Sequence, residues 1–234
     1  MSQLNPAIQD TFIAPKCDEE IEILYQDSEI LVISKPSGLL SLSGKNPLNQ
    51  DSVHYRIVQD FPTALLTHRL DFGTSGVMLL ALNKTANANI TQQFQQKSIN
   101  KTYLSILNAW VEQDEGMIDL PIAKDASLFP RLKICHQTGK SAQTHFKVLN
   151  RLTDPKRTLV LYTPQTGRTH QLRIHSQAIG HAILGCDLYG TQETKEAAKR
   201  MLLHAYSLTF KHPVSGEEMT FTSPSPFESL DLTY

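Results

Sequence analysis

The sequence has little sulfur and no long apolar run. Its three cysteines, Cys17, Cys135 and Cys186, are odd in number, far apart and without a CxxC pair, which speaks against a disulfide framework or a thiolate zinc site. No apolar stretch approaches the roughly 20 residues that cross a bilayer. Residues 1–20 lack the basic start and apolar stretch of a secretory signal. Together these features lead to the expectation of a cytoplasmic protein with reduced thiols. Phosphate-loop and dinucleotide fingerprints are missing: there is neither GxxxxGK[ST] nor GxGxxG. Nine histidines invite a metal reading, but no HExxH occurs. His170 and His175 are five apart, off the helical i, i+4 face, with Arg173 between them to repel a cation. No metal is expected. Internal repeats and low-complexity tracts are also absent.

What is present fits a globular protein with a substantial core: 234 residues, 40% hydrophobic and 19% charged. The net charge of -1 hides a segregation. Residues 1–30 carry one Lys against seven Asp or Glu, a net -6, whereas residues 121–180 carry ten Lys or Arg against two Asp, a net +8. Such a basic block is the footprint of a polyanion partner, unless folding disperses it over the surface.

Taken in order, residues 1–20 read as a polar arm. Ile21–Tyr25 and Ile30–Ile33 read as two strands around a tight turn, closed by Lys35-Pro36-Ser37-Gly38. Asp51 or Ser52 can cap a short helix to about Asp60. A strand follows from Val77, a helix over Thr85–Ser98 and an alternating strand over Lys101–Leu107. Residues 112–119 are acidic and read as an exposed connection, and 121–140 as a loop-rich basic segment. Thr144–Leu152 and Thr158–Thr163 form a strand pair about Asp154-Pro155. A helix opening near Thr166–His175 ends at Gly180, a second late helix covers Glu193–His204, and Ser207–Phe221 closes as a hairpin. Strands with interspersed helices but no regular βαβ alternation point to α+β.

Two polar clusters stand out. His68-Arg69-Leu70-Asp71-Phe72-Gly73-Thr74-Ser75-Gly76 leads into the apolar run Val77–Leu82. It is either a charged turn before a buried strand or a loop that presents chemistry on a rigid base. Ser75 precedes a strand, whereas a nucleophile elbow lies between strand and helix. Asp71 has no acidic neighbour for glycosidase-type pairing. A carboxylate beside Arg suits a nucleophile or a base rather than a resting acid. The second cluster is Thr166-Gly167-Arg168-Thr169-His170-Gln171-Leu172-Arg173-Ile174-His175. With Tyr103 as a stacking ring, the set suits chemistry on a nucleobase.

His68-Arg69-Leu70-Asp71 with Thr74-Ser75-Gly76 resembles the catalytic motif of the RluA family of RNA pseudouridine synthases. The same holds for Lys35-Pro36-Ser37-Gly38, Gly167 to His175, Gly180-His181 with Ile183-Leu184-Gly185, and Leu203-His204-Ala205. The likeness runs from about Ile21 to Phe221. Gly139-Lys140 with Ala142-Gln143-Thr144 is closest to the short, dual-specificity member, which acts on a tRNA anticodon stem-loop and on 23S rRNA. A tRNA-only member of similar length shares most of these motifs.

The resemblance implies isomerisation of uridine to pseudouridine in RNA, with no cofactor. It implies a mixed, mainly antiparallel sheet flanked by helices and loops, with the catalytic cleft across it. The expected organisation is an arm over 1–20 and a single catalytic domain over 21–234, without an S4 domain. By the same resemblance Asp71 is the catalytic carboxylate, Arg173 its partner, Tyr103 the ring under the target base and Arg69 the side chain that fills the gap left by the flipped nucleotide. Leu202 or Leu203 forms an apolar wall. Arg168, His170 and His68 are candidate RNA contacts. His175, His181 and His204 are read as structural, Thr74 and Ser75 as loop braces through bonds to backbone, and the +8 segment as the RNA-backbone surface. Attack on the sugar, attack on the base and removal of a sugar proton all remain open as routes for Asp71, with the sugar-centred routes favoured at family level. A non-catalytic RNA-binding module and a nucleoside hydrolase are the alternatives from other classes.

Overall fold

The structure, a computed structural model, describes residues 12–227; the rest of the expected arm, residues 1–11, and the last seven residues lie outside the described part. The apolar runs early in the chain build its first layer. Strands β1 (Glu22–Gln26) and β2 (Ile30–Lys35) pair antiparallel, and β2 pairs with β4 (Ser75–Ala81), which is buried along its whole length. Period-2 alternation splits these runs between two cores. Ile30, Val32, Val77, Leu79 and Ala81 face Ala86 and Ile90 of helix α2 (Lys84–Gln95). Leu31, Ile33, Met78 and Leu80 face Val53 and Ile57 of helix α1 (Val53–Asp60). Ser52 caps α1 through the Tyr55 amide, and Asn83 caps α2 through the Ala86 amide.

The sheet continues through β5 (Asn100–Asn108), β9 (Gln143–Thr153), β10 (Lys156–Pro164) and β11 (Leu203–Lys211), with β12 (Glu218–Thr222) beside β11. The order is β1-β2-β4-β11-β5-β10-β9-β6, where β6 is Glu115–Asp119. Within this sheet, all pairs of named strands are antiparallel except β4 with β11, which touch in parallel only at Ser75 with His204 and Gly76 with Ala205. Gly76 makes that approach possible. Its φ is +108°, and a Cβ there would lie 2.2 Å from the Ala205 carbonyl oxygen. The far end of the same β4 edge pairs with the short β3 (Leu65–Leu66). Because β11 and β3 share this edge, the chain between β3 and β4, residues 67–74, is extruded from the sheet as a loop. That mainly antiparallel α+β arrangement agrees with the fold class read from the sequence.

Three expectations need correction. The acidic 112–119 stretch contains β6, an edge strand on β9. Only Ile118 of it is buried, and its charges decorate the open edge, as edge strands require. The loop-rich 121–140 segment holds a small hairpin, β7 (Ile122–Lys124) with β8 (Leu132–Ile134). The helix expected over Glu193–His204 is only α4, Gln192–Glu196. From Leu203 the chain is strand, because Leu203, His204 and Ala205 pair with β5 in the middle of the sheet. Tertiary pairing overrides helix propensity there.

Candidate active site

The loop carrying Asp71 is tied down by the turn that follows β2, Lys35–Ser41. Ser41 Oγ donates to the Leu70 carbonyl and accepts the Leu70 amide. Gly38 N–H bonds the Phe72 carbonyl, and Ser37 Oγ donates to the Gly73 carbonyl. Lys35 is 1% exposed, and its ammonium donates to the carbonyls of Pro36, Leu39 and Phe72. Burial draws its pKa down to about 7. On the other side, Thr67 Oγ1 donates to the Leu79 carbonyl and His68 Nε2 accepts the Leu79 amide, so two side chains extend the β3 ladder. His68 therefore anchors the loop. Burial, helped by the charge of Lys101, pushes its pKa down to about 3. It lines the cavity as a neutral ring.

The opposite wall is helix α3 (Gln171–Ala178) and the turn before it. His170, in the left-handed region at φ 55°, starts the helix, and its Nδ1 lies 2.9 Å from the Tyr189 hydroxyl. Gln171 is buried and joins four groups: its Oε1 accepts from Thr166 Oγ1 and the Arg168 amide, and its Nε2 donates to the Gln143 carbonyl and Thr144 Oγ1. Thr144 Oγ1 also meets His175 Nδ1, whose Nε2 faces the Leu120 carbonyl. Burial lowers the pKa of His175. It is a structural histidine, as is His204, whose Nδ1 bonds Ser75 and Nε2 the Ser223 carbonyl. Ser75 thus braces the loop through side chains, accepting also from Arg200, rather than through backbone. His181 bonds the Asn108 carbonyl.

The two walls meet at an ion pair. Arg173 Nη1 lies 3.4 Å from Asp71 Oδ2, 102 residues away in the chain. The Arg173 side chain is 5% exposed and that of Asp71 is 25% exposed, so the carboxylate keeps an open side. Arg173 is further fixed by Asp187 at 2.5 Å, by Cys186 Sγ at 3.3 Å and by the Tyr189 ring, 5.2 Å from its Cζ. Burial opposes its charge, but Cys186, Asp71 and Asp187 outweigh it and raise the pKa. Asp187 and Tyr189 escaped the sequence reading; their one signal was position, just after Gly185 in a recognised motif.

Tyr103 lies at the seam where the α1-side core meets the α3-side core. Burial and the charge of Asp71 raise the pKa of its phenol, and its hydroxyl has no hydrogen-bond partner among the described residues. Leu203 lines the same space, whereas Leu202 packs on the other face of the sheet with Leu104, Ile106 and Leu184. The wall is Leu203, and Leu202 is corrected.

The open cleft between the walls holds about 830 Å³, within the roughly 300–1,000 Å³ of pockets that hold a small ligand. Arg69, Lys97, Lys101, Arg168 and Arg173 line it against Asp71, the single carboxylate among the described lining residues. Arg69 is exposed and makes no hydrogen bond or ion pair with a described residue. Arg168 is held by the Ser141 carbonyl. Only two cations of the +8 segment, Arg168 and Arg173, reach this cavity. Arg151 pairs with Asp114, Lys156 lies over Trp110 and Arg157 is buried, all near the Asp154-Pro155 turn at the far end of β9–β10. The expectation that the whole segment faces RNA is thus corrected: eight of its ten cations do not line the cavity, and Arg69, Lys97 and Lys101 line it instead. Among the described residues no group of three or more His, Cys, Asp or Glu could hold a metal ion, and no helix is long and apolar enough to cross a membrane.

A family profile described as RNA pseudouridylate synthase matches residues 29–178, from β2 to the end of α3. The chain belongs to the RluA family of RNA pseudouridine synthases. The dual-specificity RNA pseudouridine synthase RluA of Yersinia pestis is 47% identical over 205 residues, covering 88% of this chain and 99% of that protein. The enzyme of the same name from Escherichia coli K12 is 43% identical, covering 91% and 97%. In structure, human RNA pseudouridylate synthase domain containing 1 is similar with a TM-score of 0.76 and 29% identity, covering 91% of this chain and 86% of that one. Like its family, this synthase isomerises uridine to pseudouridine in RNA.

Proposed function

We propose that this cavity is the catalytic site, and that the synthase modifies uridines both in a tRNA anticodon stem-loop and in 23S rRNA. The observation that carries the site is the Asp71–Arg173 pair, which joins the two walls of a cation-lined cavity. The two bacterial relatives, both named as dual-specificity enzymes, support dual specificity. Residues 21–234 act as one catalytic domain in the cytoplasm.

Pseudouridine is an isomer of uridine: the bond from ribose C1′ to N1 breaks, a bond from C1′ to C5 forms, C5 loses a proton and N1 gains one. The balance needs no redox partner, and no cofactor is invoked. A stacked uridine hides its glycosidic bond, so it must leave the stack at a cost of a few kcal/mol. Arg69, free at the cavity mouth, fills the space left behind. The base rests on Tyr103, with Leu203 behind it, and its glycosidic bond faces Asp71. Arg173 holds that carboxylate at a fixed angle from the protein side and leaves its other side to the nucleotide. Arg168 and His170 meet the RNA at the rim.

The test is to incubate purified protein with tRNA and 23S rRNA transcripts, map pseudouridine at single-nucleotide resolution and assay for free uracil. The expected result is one modified position in each RNA. Modification of tRNA alone contradicts dual specificity, and release of uracil contradicts isomerisation.

A further inference from the structure

Lys101 is a charged side chain in an unusual position. It enters β5 two residues before Tyr103 and on the same face, beyond the point where β10 stops pairing with β5 at Tyr162. It is half-buried and lines the cavity. Its ammonium makes no hydrogen bond or ion pair with any described residue. The other ionisable groups near it or lining the cavity supply no free countercharge: His68 is neutral, and Lys97 and Arg69 are cations. Asp71, the one carboxylate lining the space among the described residues, is engaged by Arg173. Gly167 stands against the ammonium, and a Cβ there would lie 3.6 Å from Nζ. The missing side chain leaves room at that spot for a ligand oxygen.

A desolvated, unpaired cation costs free energy in the empty protein. Burial accordingly lowers the pKa of Lys101. The exposed Arg69 and Lys97 can keep water around their charge, whereas the other tethered cations near the site have partners that explain them. Lys35 has three carbonyls, Arg173 has two carboxylates and Arg168 has the Ser141 carbonyl. Lys101 lacks one, and an anion brought by the substrate supplies it. Two residues along a strand span about 6.6 Å, so the ammonium sits to the side of a base lying on Tyr103, where the sugar-phosphate chain of that nucleotide must pass. Lys carries a point charge with rotatable donors, suited to a phosphate oxygen and indifferent to base identity.

We propose that Lys101 forms a phosphate-binding subsite that takes a phosphodiester oxygen next to the extruded uridine. The proposal rests on the reading that RNA enters this cavity. Lys101 therefore reads the backbone, and it helps to pay for extrusion only when the nucleotide is out of the stack.

The experiment uses a tRNA transcript that the wild-type protein has been shown to convert. Binding is measured by fluorescence anisotropy across a series of KCl concentrations for wild type, Lys101→Met and Lys101→Arg, with single-turnover conversion and thermal melting alongside. Lys101→Met is expected to weaken binding roughly tenfold and to reduce the slope of log K against log salt by about 0.7, the share of one single-strand phosphate. Lys101→Arg is expected to recover most of the affinity and the slope. Lys101→Met should melt no lower than wild type, since it removes an uncompensated charge. An unchanged slope overturns the proposal, whether affinity holds (no contact) or falls (a contact to base or sugar). Loss of melting temperature together with binding also overturns it, because Lys101 is then a structural residue. Asp71→Asn is run in parallel. If it still converts the RNA, the cavity reading fails on its own; if it is inactive while Lys101→Met is unchanged, only the Lys101 proposal fails.

Discussion

The two walls of the cleft hold their functional side chains by different means. On the Asp71 wall the backbone itself is gripped. The carbonyls of Leu70, Phe72 and Gly73 are each bonded by the Lys35–Ser41 turn, partly through a buried ammonium. On the Arg173 wall a neutral network of Gln171, Thr144, Thr166 and His175 fixes the start of α3, and the charge appears only at the tip, shared between Asp71 and Asp187. The difference teaches that one wall fixes a loop and the other aims a side chain. Damage to the first should act through stability and loop position, and damage to the tip of the second through chemistry.

The largest effect is expected at the meeting point. Asp71→Asn should lower single-turnover pseudouridine formation by about 10³-fold or more, with RNA affinity within about threefold of wild type. Retained conversion would remove Asp71 from the chemistry. Next, Arg173→Ala should cost about 10²-fold in rate but far less in affinity, and Arg173→Lys should recover only part of it, because a single ammonium cannot serve both carboxylates. Equal losses in rate and affinity would make Arg173 a backbone contact and erase the contrast between the walls.

Tyr103, at the seam, comes third. Tyr103→Ala should weaken productive binding by the roughly 1–3 kcal/mol of one base stacked on a ring, whereas Tyr103→Phe keeps the ring and should stay near wild type. A Phe variant as impaired as Ala would show that the hydroxyl, not the stack, matters.

The smallest effects separate the two kinds of bracing. Lys35 has a pKa of about 7 in the folded protein against an ordinary 10.5. Between those values the unfolded chain binds a proton that the native state does not, so this group makes stability rise with pH from about 7 towards 10.5. Chemical denaturation across that range should show the rise in wild type and lose it in Lys35→Met. Gln171→Ala should cost about 1–3 kcal/mol for the partners left unsatisfied, with no such change in pH slope. The same change of slope in both variants would contradict the division.

Much of this was legible from local pattern. The β4 run from Val77, the Ser52-capped helix and the β9–β10 hairpin announce themselves by periodicity and punctuation, and Gly180 does mark the end of α3. The site was legible only through several motifs taken together. Nothing in the spacing of Asp71 and Arg173 says that they meet; that contact exists because β11 and β3 divide the edge of β4 and push residues 67–74 towards α3. The misses have the same origin. Leu203 and His204 look helical until β5 claims them as a strand partner. Leu202 and Leu203 look interchangeable until the pleat sends them to opposite faces. The +8 segment looks like one surface until the β9–β10 hairpin carries Arg151, Lys156 and Arg157 away from the cleft. Lys101 and Asp187 drew no notice because isolated charges carry no pattern.

The most direct measurement is a crystal structure of Asp71→Asn bound to a substrate RNA. The account predicts the target uridine out of its stack, its ring on Tyr103 and its glycosidic bond facing residue 71, with Arg173 still in place behind. A target uridine left stacked in the bound loop, or RNA bound away from this cavity, would contradict it.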